Sequence, residues 1–156
     1  MQKLSIILTA CLFFSGFAFW EVSSVGAKSL PQTSQEIREA MRLIRQGQDA
    51  EAYILLGQVL KENPDSVDGL LALGMIKVQK GEFATAKLNF QKVVSQRPYS
   101  VAANYMLAMI YEREENDTAA LAAWQRVFSR ARRGGNLSEL AAKHIRQLKE
   151  IIGETR

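Results

Sequence analysis

The chain has 156 residues, with 20 Lys and Arg against 16 Asp and Glu for a net charge of +4, and carries one cysteine and one histidine. A single thiol and a single imidazole exclude a disulfide framework and a Cys/His metal cluster. The positive balance is mild and comes with no nucleic-acid-binding motif, so nucleic acid is not an expected partner.

Residues 4–20 are an apolar run of 17 positions without a charge, preceded by Lys3 and followed by Glu21. Val25, Gly26 and Ala27 then place small residues at the third and first positions before a cut. This pattern is that of a secretory signal peptide cleaved after Ala27. The competing reading is an uncleaved membrane anchor, since the run is long for a signal core and slightly short for a span of about 20 residues. Cys11 follows Leu8-Thr9-Ala10, a weaker match to a lipoprotein processing site. Residues 28–32 read as a short linker. Thr33 with Glu36 has the capping-box spacing that starts a helix.

From there a 34-residue interval governs the chain. It relates Met41, Met75 and Met109, and Ile37, Leu71 and Tyr105. It also relates Ala52, Ala86 and Ala120; Leu56, Phe90 and Trp124; and Val59, Val93 and Val127. Such a period marks a helix-pair repeat. Three units follow, 33–66, 67–100 and 101–134. Pro64 and Pro98 close the first two, and Arg132 stands where a third proline would fall. In the middle unit Leu70, Leu73, Gly74 and Lys77 have the three- and four-residue spacing of a helix face. Gly81 breaks that helix. Phe83, Ala86, Phe90 and Val93 mark the second one, which Pro98 ends. Gly74 and Ala86 let two helix backbones approach, and a larger side chain at either would push them apart.

These residues resemble the tetratricopeptide repeat pattern. The middle unit shows it as Leu70, Leu73, Gly74, Lys77, Ala86, Phe90, Val93 and Pro98, with lysine and valine replacing the family's tyrosine and last small residue. The third unit has Asn104, Leu107, Ala108, Tyr111, Ala120, Trp124 and Val127 at these positions. The first departs from it at Glu36 and Glu39, as terminal repeats often do, while Ala40, Leu43, Gly47, Ala52 and Leu56 fit. A one-residue slip of its first helix would turn Met41 inward. The resemblance implies an all-α fold: a right-handed superhelical array of three helix-turn-helix units plus a C-terminal capping helix, preceded by the signal or anchor segment.

The capping helix is expected over 137–152, with Asn136 and Glu139 as its cap and Leu140, Ala141, Ile145, Leu148, Ile151 and Ile152 as its apolar face. Gly134-Gly135 separates it from the third unit, and residues 153–156 form a tail. Arg126, Arg130 and Arg133 have the spacing of one helical face. Basic residues near a helix C-terminus are favoured by roughly 0.3–1 kcal/mol each, which accounts for them structurally. The functional reading is a docking patch for an anionic partner or lipid surface.

No catalytic constellation is present. His144 has no second ligand to share a metal and is expected to pack beside the apolar stripe of the last helix. Glu112, Glu114, Glu115 and Asp117 are expected to solvate a helix end and turn. No cofactor is implied, and the chain is not expected to be an enzyme.

In the resembling family the first helices line a concave face. That template puts Ile37, Met41, Ile44, Leu71, Met75, Val78, Tyr105, Met109 and Glu112 in the groove. The residues at the family's carboxylate-clamp positions are apolar here, which excludes acidic chaperone tails as partners. Methionine is unbranched and polarisable and adapts to irregular apolar partners. The expected function is a non-catalytic adaptor or scaffold of the bacterial cell envelope, exported to the periplasm, that binds an apolar peptide or amphipathic helix of a protein partner. The alternative is a self-associating or membrane-tethered scaffold whose apolar face is buried between copies, with membrane contact through the N-terminal segment.

Overall fold

The computed structural model describes residues 30–153, with side chains from residue 33. The apolar run, Cys11 and the cleavage site after Ala27 lie outside the described residues. So do the first two residues of the expected linker and the last three of the tail.

Among the described residues there are seven α-helices and no strand: α1 (Leu30–Arg45), α2 (Asp49–Glu62), α3 (Val67–Gln79), α4 (Phe83–Gln96), α5 (Val101–Arg113), α6 (Asp117–Arg130) and α7 (Asn136–Ile152). Connections of three to five residues join them, short enough to fold each helix back against its predecessor. Each helix packs most densely on its neighbours in sequence, and α1 lies directly against α3 as well. No described helix is long and apolar enough to cross a membrane.

The 34-residue interval reappears as burial. Ala52, Ala86 and Ala120 are fully buried, as are Leu56, Phe90 and Trp124, and Val59, Val93 and Val127. Ala40, Gly74 and Ala108 are buried at a fourth equivalent position. There the steric argument is direct. A Cβ on Gly74 would lie 2.6 Å from the Phe90 ring. Burial of Ala40 fixes the register of α1 and excludes the one-residue slip, leaving Met41 half-buried beside the hollow.

Turn chemistry separates the units. Ser66 and Ser100 cap α3 and α5 by accepting from the N–H of Gly69 and Ala103, and Asn116 caps α6 by accepting from Ala119. Within the first two hairpins, Gly47 and Gly81 turn the chain at φ 75° and 74°. The third hairpin places Glu115 there at φ 55°.

The junctions between units share one pair of positions with interchanged chemistry. Between the first and second units, Tyr53 of α2 meets Lys77 of α3, the ammonium 5.1 Å from the ring centroid. Between the second and third, Lys87 of α4 meets Tyr111 of α5 at 5.9 Å. At the third junction the same positions are Leu121 and Ile145, both in the apolar core cluster. Each lysine also has a carboxylate. Lys77 bonds Glu82 at 2.6 Å, which holds its ammonium above the usual lysine range. Lys87 bonds Glu114 at 2.6 Å.

Several expectations are corrected. α1 begins at Leu30, so the expected linker over 28–32 gives way to helix from residue 30, and Thr33 is not its cap. Pro31 is compatible with this because the first turn of a helix does not use its N–H groups. Asn136 is inside α7, and Gly135 is the N-cap, with Ser138 Oγ donating to the Gly135 carbonyl at 2.8 Å. α6 ends at Arg130 and Ala131 is extended, so Arg133 lies in the following turn and shares no helical face with Arg126 and Arg130. On α7, Ala141 and Leu148 are buried, but Ile151 and Ile152 are exposed, because α7 meets α6 on one side only.

Candidate functional site

The hollow is built from α1, α3, α5 and α7. α1 approaches α3 closely, whereas α3 and α5, and α5 and α7, stand further apart. A recess of about 590 Å³ opens in that wider part. Leu71 and Met75 of α3, Val101, Ala102, Tyr105 and Met106 of α5, and Leu137 and Leu140 of α7 line it. Asn136 supplies its polar edge.

Two further recesses adjoin it through shared walls. One of about 520 Å³ is lined by Ile37, Met41 and Leu71, with Ser34, Arg38, Arg45 and Asp68 around them. The other, about 380 Å³, is lined by Val78, Phe83, Tyr105, Met106, Met109, Ile110 and Arg113. Leu71 belongs to the first pair of recesses, and Tyr105 and Met106 to the second. Seven of the expected groove residues therefore line one connected apolar surface: Ile37, Met41, Leu71, Met75, Val78, Tyr105 and Met109.

Ile44 does not. It is 5% exposed and packs in the core cluster with Leu56 and Ile76. Glu112 does not line the hollow either, and it does not solvate the helix end. Its Oε1 accepts from Trp124 Nε1 at 2.8 Å and lies 2.7 Å from His144 Nδ1. His144 stacks on the Trp124 indole with centroids 4.5 Å apart. Ile44, Val78 and Glu112 occupy one repeat position, on the side of the large residue of the following helix, Leu56, Phe90 or Trp124, and only Val78 also reaches the hollow. A leucine or phenylalanine there needs only apolar neighbours, whereas a buried indole N–H needs an acceptor.

This polar cluster braces the hollow from behind. Tyr105 meets Trp124 edge-on, 5.5 Å between ring centroids. A wall of the 590 Å³ recess is thus held by a tryptophan that is itself held by Glu112 and His144. Nearby, Arg113 stacks on Phe83 at 4.3 Å at one rim of the hollow.

Several lining residues were not anticipated from the sequence. Ala102, Tyr105, Met106 and Met109 follow helical spacing on one face of α5, a signal that would have added Ala102 and Met106. Leu140 lies one repeat interval beyond Met106. Leu140 thus contributes to the hollow.

The basic residues are dispersed. Arg126 is exposed, Arg130 stacks over Tyr99 at 4.4 Å, and Arg133 is exposed in the turn. Among the described residues no group of three or more His, Cys, Asp or Glu is placed to hold a metal ion. Compared with known proteins, the chain matches no family model, no curated protein and no solved structure.

Proposed function

We propose that this chain is an exported, non-catalytic adaptor of the tetratricopeptide kind, which holds the apolar face of a partner's helix or peptide in the hollow between its first helices. The carrying observation is the continuity of the recesses through Leu71, Tyr105 and Met106. A helix laid in an apolar groove is read through anchors spaced by three, four and seven residues. Successive recesses along α1, α3 and α5 suit such anchors. Met41, Met75, Met106 and Met109 give the floor adaptable side chains. The acid–imidazole pair of Glu112 and His144 is committed to Trp124, which favours a structural over a catalytic role. The apolar run at 4–20 and the small residues before Lys28 support export to the bacterial envelope.

The test is site-specific photocrosslinking in cells. A photoreactive residue at Met109, which is 42% exposed in the hollow, is expected to give discrete adducts with a partner. The same residue at Lys92, exposed on α4, is the control. Adding Met75→Glu should abolish the Met109 adducts. Equal adducts from both positions, unaffected by Met75→Glu, would overturn the reading.

A second reading, self-association, draws support from Ile54 and Leu88. They occupy equivalent positions on α2 and α4 and are 64% and 60% exposed. Sedimentation of the chain separates the two: a stable dimer favours self-association and a monomer favours the adaptor.

A further inference from the structure

α7 continues the repeat in register. Ala142 lies one 34-residue interval beyond Ala108, which itself follows Gly74 and Ala40. In each earlier unit that small residue is covered by a large side chain from the following helix. Leu56 shares a core cluster with Ala40, the Phe90 ring meets the backbone at Gly74, and Trp124 shares a cluster with Ala108. Ala40, Gly74 and Ala108 are accordingly buried, whereas Ala142 is only half-buried. Over it lies a recess of about 540 Å³, lined by Gln125 and Phe128 of α6 and by Ala142, Ile145, Arg146 and Lys149 of α7. Phe128 is 50% exposed there. α7 is thus the first helix of a fourth hairpin, and no described helix takes the second place.

Charge marks what would fit. Residues 125–153 carry seven basic side chains and two acidic ones, a net of +5, whereas residues 30–124 carry ten and twelve, a net of −2. Arg146 and Lys149 rim the recess. Among the described residues neither has a carboxylate within ion-pair distance. We propose that this recess is a docking site for an acidic amphipathic helix of a partner protein, which places one large apolar side chain over Ala142 and so completes the fourth hairpin. A recess between two helices, at the position that a large side chain covers in each of the three earlier units, fits a helix better than it fits a flat lipid surface. The site shares no residue with the hollow, so the two proposals stand or fall separately.

The probe follows from the repeat itself. The segment Asp49–Glu62 is the chain's own α2, with Asp49, Glu51 and Glu62 against Lys61 and with Leu56 as the covering side chain. A fluorescent, hydrocarbon-stapled peptide of this sequence would be titrated with the full chain and read by anisotropy. Saturable binding is expected. Ala142→Trp, which puts a bulky side chain where the partner's would lie, should weaken it about tenfold or more. Arg146→Glu with Lys149→Glu should do the same, and Met75→Glu with Met109→Glu should leave it unchanged. No binding up to about 1 mM peptide, or binding that both recess variants leave intact, would overturn the proposal. So would a chain that ignores the peptide but sediments with phosphatidylserine vesicles and loses that association in Arg146→Glu with Lys149→Glu, since the basic end would then be a membrane contact.

Discussion

In the second hairpin, Phe90 lies against bare backbone at Gly74, with Val78 and Ile110 at neighbouring repeat positions. In the third, the same positions hold Trp124, Ala108, Glu112 and His144. The first of these arrangements is steric and apolar. The second is tied by hydrogen bonds of 2.8 and 2.7 Å and by a stacked imidazole. Asn104 adds to the difference. It is fully buried where the second hairpin has Leu70, and its amide donates to the carbonyls of Pro98 and Ser100 at 2.9 and 2.8 Å. Repeat position therefore fixes the place of a side chain without fixing how it is held. Changing Phe to Trp at one position entails a carboxylate at a second, because a buried N–H without an acceptor is costly.

The largest effect separating the two hairpins is expected at the large side chains. Phe90→Ala and Trp124→Ala should each cost about 3–5 kcal/mol in chemical denaturation. Trp124→Ala should also loosen the hollow, since Tyr105 leans on the indole, whereas Phe90→Ala should leave Tyr105 in place. NMR of the Tyr105 ring resonances in the two variants reads this, and equal effects of both variants would remove the distinction.

Next comes the polar tie. Glu112→Val leaves the Trp124 N–H buried without its acceptor and should cost about 1–3 kcal/mol. Combining it with Trp124→Phe, His144→Ile and Ala108→Gly copies the Phe90, Val78, Ile110 and Gly74 set and should recover most of that loss. A quadruple variant as unstable as the single one would mean that the two arrangements are not interchangeable within the frame. On the other side of the comparison, Gly74→Ala forces a Cβ to within 2.6 Å of Phe90. Overpacking of about 1–3 kcal/mol outweighs the roughly 1 kcal/mol that alanine gains in helix propensity. Adding Phe90→Leu, which copies Ala40 with Leu56 from the first hairpin, should restore stability.

Much of this frame was legible in the sequence because buried side chains recur at a fixed interval. Ala52, Ala86 and Ala120, with Leu56, Phe90 and Trp124, mark the core without reference to any partner. The hollow was legible for the same reason, down to Leu71, Met75 and Tyr105. What escaped were features that depend on pairs of positions. Ile44 was assigned by repeat position alone, although Leu56 and Ile76 beside it leave no room for exposure. Glu112 looked like a solvated acid until the indole of Trp124 was placed next to it. The start of α1 and the caps of α7 escaped because Thr33 and Asn136 have capping chemistry that the backbone does not use there. Arg133 was assigned to a helical face because spacing was read across the end of a helix.

The smallest expected effect concerns the turns. Gly47 and Gly81 adopt left-handed φ without penalty, while Glu115 does so at φ 55° with a Cβ in place. A non-glycine residue in that region is disfavoured by roughly 1–2 kcal/mol, and glycine loses about 0.5–1 kcal/mol through its greater freedom in the unfolded chain. Glu115→Gly should therefore stabilise by about 0.5–1 kcal/mol, read as a higher denaturation midpoint at unchanged slope. Gly81→Glu should destabilise the second hairpin by a similar amount. If Glu115→Gly lowers the midpoint instead, the Glu115 side chain contributes to the third hairpin beyond its turn geometry, and the contrast with the second would extend to the turn.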